Sequence, residues 1–94
     1  MLDRAEALKI AAAFLERDAQ EWTTKHEVRT IPDSAFTDGP FLIVPYNSVA
    51  LLDHGDRSAQ LAGNAPIRVD LATGECDLLD VIEVIGYRKR GFKV

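Results

Sequence analysis

The strongest constraint on the fold is one long helical segment at the start of the chain, followed only by shorter runs. No glycine or proline interrupts residues 3–22, and Asp3 with Glu6 forms the D-x-x-E pattern that caps a helix start. Apolar residues recur there at helical spacing, at Leu8, Ala11, Ala12, Leu15, Ala19 and Trp22. We predict a helix over residues 4–21.

The segments that follow have the patterns typical of strands. Residues 25–31 (KHEVRTI) alternate weakly and predict a strand that ends at Pro32. Residues 41–44 (FLIV) are the most apolar run and predict a buried strand. Residues 38–40 (DGP) predict a turn before it. Pro45 predicts a bulge or an edge position, because proline has no backbone N–H to donate to a ladder.

A second pair of runs predicts a β-hairpin. Residues 66–71 (PIRVDL) alternate, with Ile67 and Val69 on one face, and residues 75–79 form the returning arm. Gly74 lies in the turn between them, where a positive φ is needed.

Three later segments are less clear from the sequence. Residues 48–52 (SVALL) are compatible with a short strand or a helical turn, and residues 53–65 are polar and predict a loop. In residues 80–94, several β-branched residues favour a strand. Asp80 and Glu83, however, repeat the helix-capping pattern. We weigh this last segment slightly toward a strand.

One helix followed by four or five strands predicts an α+β fold in a single domain of residues 1–94. The N-terminal helix would pack across one face of a four- to five-stranded antiparallel sheet, because no other segment is long enough to cover it. The other face or an edge would be left to water or to a partner. An uncovered apolar face would favour a homodimer.

The central part of the chain carries a set of motifs in a particular order. Residues 41–48 give a strand with a bulky apolar start and an aromatic-polar-serine end, and Gly55-Asp56 follows in a loop. Then come Leu61-Ala62-Gly63-Asn64-Ala65-Pro66 and Val69-Asp70-Leu71-Ala72-Thr73-Gly74. With the opening helix, this order resembles the immunity protein 35 family over about residues 3–79.

The resemblance implies a function in toxin neutralisation. Members of that family are found beside polymorphic toxin genes in bacteria and are thought to bind and block the cognate toxin. The resemblance therefore implies a protein toxin as partner, and it leaves the identity of that toxin open.

The charge distribution favours a basic partner. The net charge is −4, yet all 15 acids lie before Tyr87 and four of the 11 bases lie after it. Such an acidic body repels nucleic acid and attracts basic proteins. The same excess of acids is explained equally well by a need for solubility alone. The basic, aromatic residues 87–93 would suit nucleic acid or an anionic membrane. We expect them instead to pair with acids of their own body or to remain mobile.

Residues for catalysis or metal binding are scarce. His26 and His54 lie in no zinc-ligand spacing, and Cys76 lies between two acids that raise the pKa of its thiol. We predict no enzymatic activity, no metal site and no cofactor. A single cysteine excludes an internal disulfide and, together with the lack of a signal sequence or membrane-spanning run, predicts a cytoplasmic protein.

The candidate partner-binding residues lie in one loop and at the end of the apolar strand, and they are Tyr46, Asn47, Asp53, His54, Asp56 and Arg57. Loops on a rigid scaffold often carry recognition, and exposed tyrosine suits an interface. The alternatives are a solvated connection for the loop and a core-capping role for Tyr46. Gly63-Asn64-Ala65-Pro66 is interpreted as structural.

Three hypotheses of function follow. The preferred one is an immunity protein that occludes its toxin. The second is a chaperone-like domain that holds unfolded chains on a free sheet face, and the third, with little support, is a small-molecule sensor or enzyme.

Overall fold

The computed structural model describes residues 1–19, 27–60 and 65–92. Within these residues the chain forms three α-helices, α1 (Arg4–Ala19), α2 (Val49–His54) and α3 (Val81–Lys89). It also forms six strands, β1 (Val28–Thr30), β2 (Phe36–Asp38), β3 (Phe41–Val44), β4 (Tyr46–Ser48), β5 (Ile67–Asp70) and β6 (Cys76–Leu78). Short 3₁₀ turns occupy Pro32–Ser34 and Arg57–Ala59.

The strands form two antiparallel sheets, which confirms the predicted α+β fold. The larger sheet has the order β2-β3-β5-β6, and the smaller pairs β1 with β4. Pro45 lies where the chain leaves the larger sheet for the smaller one, and its carbonyl accepts a hydrogen bond of 2.8 Å from the Ile31 amide. The proline therefore occupies a position where no ladder donor is needed.

Helix α1 covers one face of the larger sheet, as predicted. Its start is capped by Asp3, whose side chain accepts from the Glu6 amide at 2.8 Å. The helix buries Ala7, Ala11 and Leu15. Because the two alanines have short side chains, the helix backbone lies close to the strands. The predicted residues 20 and 21 lie outside the described residues.

The first core cluster lies between α1 and the central strands. β3 and β5 pair with Leu42 opposite Val69 and Val44 opposite Ile67, and all four side chains are fully buried. Complete burial of an aliphatic side chain of this kind contributes about 1.5–3 kcal/mol. Tyr46 packs into the same cluster.

Residues 81–89 form a helix, so the preference for a strand in this segment is wrong. The Asp80 carboxylate accepts from the Glu83 amide at 2.8 Å, and the Glu83 carboxylate accepts from the Asp80 amide at 3.2 Å. This capping box satisfies two donors that a helix start otherwise leaves free. Val84 and Tyr87, three residues apart, then pack against Ile43. Local capping and tertiary packing outweigh the strand preference of β-branched residues.

Because α3 lies against the second face of the larger sheet, that face is partly covered. Its cluster is built from Ile43, Leu79, Val84 and Tyr87. Of the two alternatives above, an open face or an open edge, the open face does not hold where α3 packs. A homodimer through the sheet face and a chaperone-like surface both require an uncovered apolar face, and α3 occupies that position.

The C-terminal segment is packed as far as residue 92. The Phe92 ring stacks on Phe36 with centroids 4.2 Å apart, and Tyr87 meets the Phe36 ring edge-on at 5.4 Å. Arg90 pairs with Asp38 at 3.3 Å. The expected pairing with an acid of the protein's own body is confirmed for Arg90. Residues 87–92 are packed against the body and do not form a mobile tail. Residues 93 and 94 lie outside the described residues.

The remaining local predictions have mixed outcomes. The hairpin of residues 66–79 is confirmed, with Gly74 at φ 79°. Of the two alternatives for residues 48–52, the helical one holds from Val49 onward. Ser48 ends β4, and its hydroxyl caps α2 by accepting from the Leu51 amide at 3.1 Å. The predicted loop of residues 53–65 begins inside α2 and contains a 3₁₀ turn at Arg57–Ala59, and its residues 61–64 lie outside the described residues.

One predicted strand is shorter in the structure, and one strand has no counterpart among the predictions. The strand predicted over residues 25–31 is β1, Val28–Thr30, and residues 25 and 26 lie outside the described residues. β2 was not predicted at all. It forms because it pairs with β3, with Phe36 opposite Ile43, across the predicted turn at Gly39.

The capping box makes a prediction for stability. D80A removes the N-cap acceptor of α3 and should lower the free energy of unfolding by about 1 kcal/mol. D80N keeps a good capping side chain and is the matched control. Urea unfolding of both variants and the wild type measures the effect. Equal stabilities of D80A and D80N would contradict the capping role.

Candidate partner-binding surface

Four of the predicted partner-binding residues lie together at the end of α2 and in the following turn. Asp53, His54, Asp56 and Arg57 are all exposed. Gly55 ends α2 in the left-handed region at φ 67°. The Asp56 carboxylate caps the 3₁₀ turn by accepting from the Ser58 amide at 3.0 Å. Local caps at both ends therefore fix the backbone of this loop.

An ion pair ties the loop to the smaller sheet. The Arg29 guanidinium donates to the two carboxylate oxygens of Asp53 at 2.6 and 3.4 Å. The hydrogen bonds from Arg29 hold the pKa of the Asp53 carboxyl below its usual value. Both side chains are about two-fifths exposed, at 41% and 43%, so the pair contributes little to stability. Asn47, opposite Arg29 in the β1–β4 register, adjoins this surface.

Tyr46 is not part of the exposed surface. Its residue is 4% exposed and belongs to the first core cluster. Burial raises the pKa of its phenol. Of the two alternatives for Tyr46, the core-capping one fits this position, and Tyr46 leaves the set of surface candidates.

A second surface was not found from the sequence. On the face of the larger sheet that α3 partly covers, a cavity of about 330 Å³ opens near the β5–β6 hairpin. We call it the acidic recess, and it is lined by Phe41, Arg68, Asp70, Glu75, Cys76 and Asp77. The strand alternation contained a signal for it, because Arg68 and Asp70 were predicted on the face opposite Ile67 and Val69.

Arg68 organises one side of the acidic recess. Its guanidinium forms a two-pronged pair with Asp77, at 3.0 and 2.6 Å, and also donates to Glu83 of α3. It lies over the Phe41 ring, 5.2 Å from the centroid. Hydrogen bonds to Asp77 are the main reason that the pKa of Arg68 is raised. The side chain is therefore fixed in place and charged.

The other side of the acidic recess carries the carboxylates of Asp70 and Glu75. Asp70 accepts from the Ala72 amide at 2.8 Å, and the Thr73 hydroxyl accepts from the Glu75 amide at 3.2 Å. Through these bonds, Asp70 and Thr73 satisfy backbone donors of the hairpin. The Glu75 side chain makes no ion pair with the described residues. Among the residues that line the recess, the three carboxylates of Asp70, Glu75 and Asp77 outnumber the one guanidinium, that of Arg68.

The thiol in the acidic recess is poorly suited to act as a nucleophile. Burial, more than the neighbouring Asp77, raises the pKa of Cys76, and the thiolate is the reactive form. In the described ranges, no three His, Cys, Asp or Glu side chains are placed to hold a metal ion. His26 lies outside those ranges. The arrangement is suited to binding a cationic group.

Beside α3, a small polar cluster secures the helix. The Tyr87 hydroxyl donates to Asp38 at 2.8 Å, and Arg90 donates to the same carboxylate. The tyrosine bond and the nearby cation lower the pKa of Asp38. Burial, reinforced by the bond to Asp38, raises the pKa of Tyr87 to about 12.

Comparison with known proteins gives no match: no family model, no curated protein and no solved structure matches this chain. The resemblance to the immunity protein 35 family therefore stays a prediction from the sequence. Over the described part of the chain, none of the helices has the length and apolar character required to cross a membrane.

The raised pKa of Tyr87 makes a prediction for alkaline stability. The unfolded phenol titrates at about 10 and the folded one at about 12. The folded state therefore favours the protonated form. This contribution is complete below about pH 10 and is lost as the pH rises toward 12. The wild type should lose stability relative to Y87F across that window.

Urea unfolding of the wild type and Y87F at about pH 9 and about pH 11.5 measures the difference. Phenylalanine keeps the ring and removes the hydroxyl, and Tyr46 is present in both proteins. A difference that does not change between the two pH values would contradict the raised pKa of Tyr87.

Proposed function

We propose that this protein is a non-catalytic immunity protein, which binds a basic toxin protein and blocks it by covering its functional surface. The observation that carries the proposal is the acidic recess, in which carboxylates outnumber the one cation on an exposed part of a rigid sheet. The resemblance of the central motifs to the immunity protein 35 family supports the same function.

The geometry of the recess suits a lysine or arginine side chain from a partner. The Asp70 carboxylate is held by the Ala72 amide, so it loses little freedom on binding, and the Glu75 backbone is fixed in the hairpin turn. The Phe41 ring already contacts one guanidinium, and an aromatic face attracts cations. A long cationic side chain seated there would bury its stem and pair its charge.

Long-range electrostatics favour the same partner. Residues 1–86 hold all 15 acids of the chain and seven of its 11 bases. This excess steers a basic protein toward the acidic body and raises its association rate at low salt. A nuclease toxin presents cations to its substrate, so such a toxin suits this surface. The loop residues Asp53, His54, Asp56 and Arg57, with Asn47, would extend the contact.

The chaperone-like alternative has less support. It needs an open apolar sheet face on which unfolded chains can lie. Helix α3 covers part of the second face with Val84 and Tyr87, and the acidic recess occupies another part. Neither part is an open apolar surface.

Charge reversal in the recess tests the proposal. E75K should weaken binding to the protein encoded by the neighbouring toxin gene by about tenfold or more, because a cation then faces a cationic partner. Glu75 forms no ion pair with the described residues, so the substitution should leave the fold intact. Calorimetry at low and at physiological salt measures the affinity.

E16K is the matched control, because Glu16 is exposed on α1 and the net charge changes equally. It should weaken binding only slightly. Equal effects of E75K and E16K would contradict a role for the recess. No binding of the wild type at low salt would contradict the proposed function itself.

A further inference from the structure

Helix α3 is apolar on two sides, which is unusual for a short helix at a protein surface. One side buries Val84 and Tyr87 against the sheet. The opposite side exposes Val81 at 73%, Ile82 at 80% and Ile85 at 45%. A surface helix ordinarily has one apolar stripe and one polar face. The second apolar side has no partner among the described residues.

The three exposed side chains form one contiguous patch. Residues three and four apart lie next to each other on a helix, so Ile85 adjoins both Val81 and Ile82. Gly86 continues the surface, and a Cβ placed on it would meet no atom within 4 Å. Another backbone can therefore approach α3 closely at this position. We call Val81, Ile82, Ile85 and Gly86 the outer face of α3.

The charges at the two ends of α3 indicate what covers this outer face. The helix begins at the exposed carboxylate of Asp80, since that of Glu83 is paired with Arg68, and it ends at Arg88 and Lys89. If two copies pack with α3 antiparallel, the acidic start of one helix lies beside the basic end of the other. The two helix dipoles then also oppose each other favourably.

We propose that the outer face of α3 binds the same face of a second copy, as a twofold-symmetric dimer. The surface is self-complementary, with an apolar centre and opposite charges at its ends, which an isologous interface requires. A basic toxin suits this face poorly, because Arg88 and Lys89 would repel it. The dimer contact is therefore separate from the acidic recess.

The size of the outer face sets the strength of the dimer. A helix of nine residues is about 13.5 Å long, so the contact is smaller than a standard interface. Association should be weak and should depend on concentration, with monomer predominating in dilute protein.

Sedimentation velocity across about 5 to 500 µM protein tests the proposal. The wild type should shift from monomer toward dimer over this range. I82E places a charge in the apolar centre and should weaken association by about tenfold or more. A13E adds the same charge at an exposed position of α1 and should associate like the wild type.

A mixture of I82E and I82K provides the second measurement. Because the two patches meet about the twofold axis, opposite charges at this position lie close together, and the mixture should associate more strongly than either variant alone. The proposal is overturned if the wild type stays monomeric throughout, if A13E weakens association as much as I82E, or if the mixture gains nothing. Retained circular dichroism of each variant shows that the fold is intact.

Discussion

The pairing of Arg68 with two carboxylates ties the hairpin of the larger sheet to α3 through side-chain bonds. Arg68 lies on β5, and it bonds to Asp77 on β6 and to Glu83 on α3 while its guanidinium covers Phe41 on β3. Arg68 therefore links β5 to β3, β6 and α3. Without this cation, the carboxylates of Asp77 and Glu83, 53% and 33% exposed, would lose the partner that they share.

The elements predicted correctly are those that local sequence determines. Helix α1 has its own cap at Asp3 and a long apolar period, and the β5–β6 hairpin has its turn glycine at Gly74. Helix α3 and β2 depend on contacts that are distant in sequence. The β-branched residues of α3 favour a strand in isolation, yet Val84 and Tyr87 gain burial against Ile43 only as a helix. Such contacts are not visible in a local pattern.

The candidate site divides in the same way. The loop of residues 53–57 was predicted from its local composition, and the structure brings its charged residues together. Tyr46 was ambiguous because its burial depends on α1 and the opposite sheet. The acidic recess was missed because Phe41, Asp70 and Glu75 meet only through strand register. Asp70, which bonds to the backbone of the hairpin turn, therefore also lines the acidic recess.

A double-mutant cycle between Arg68 and Glu83 measures most directly whether this cation joins α3 to the sheet. R68M keeps the aliphatic stem, and E83Q keeps an amide oxygen that can still complete the capping box with Asp80. Urea unfolding of the wild type, both single variants and the double variant gives the coupling energy. Both side chains are partly exposed, so we predict a favourable coupling of about 0.5–1 kcal/mol. A coupling of zero would contradict the account.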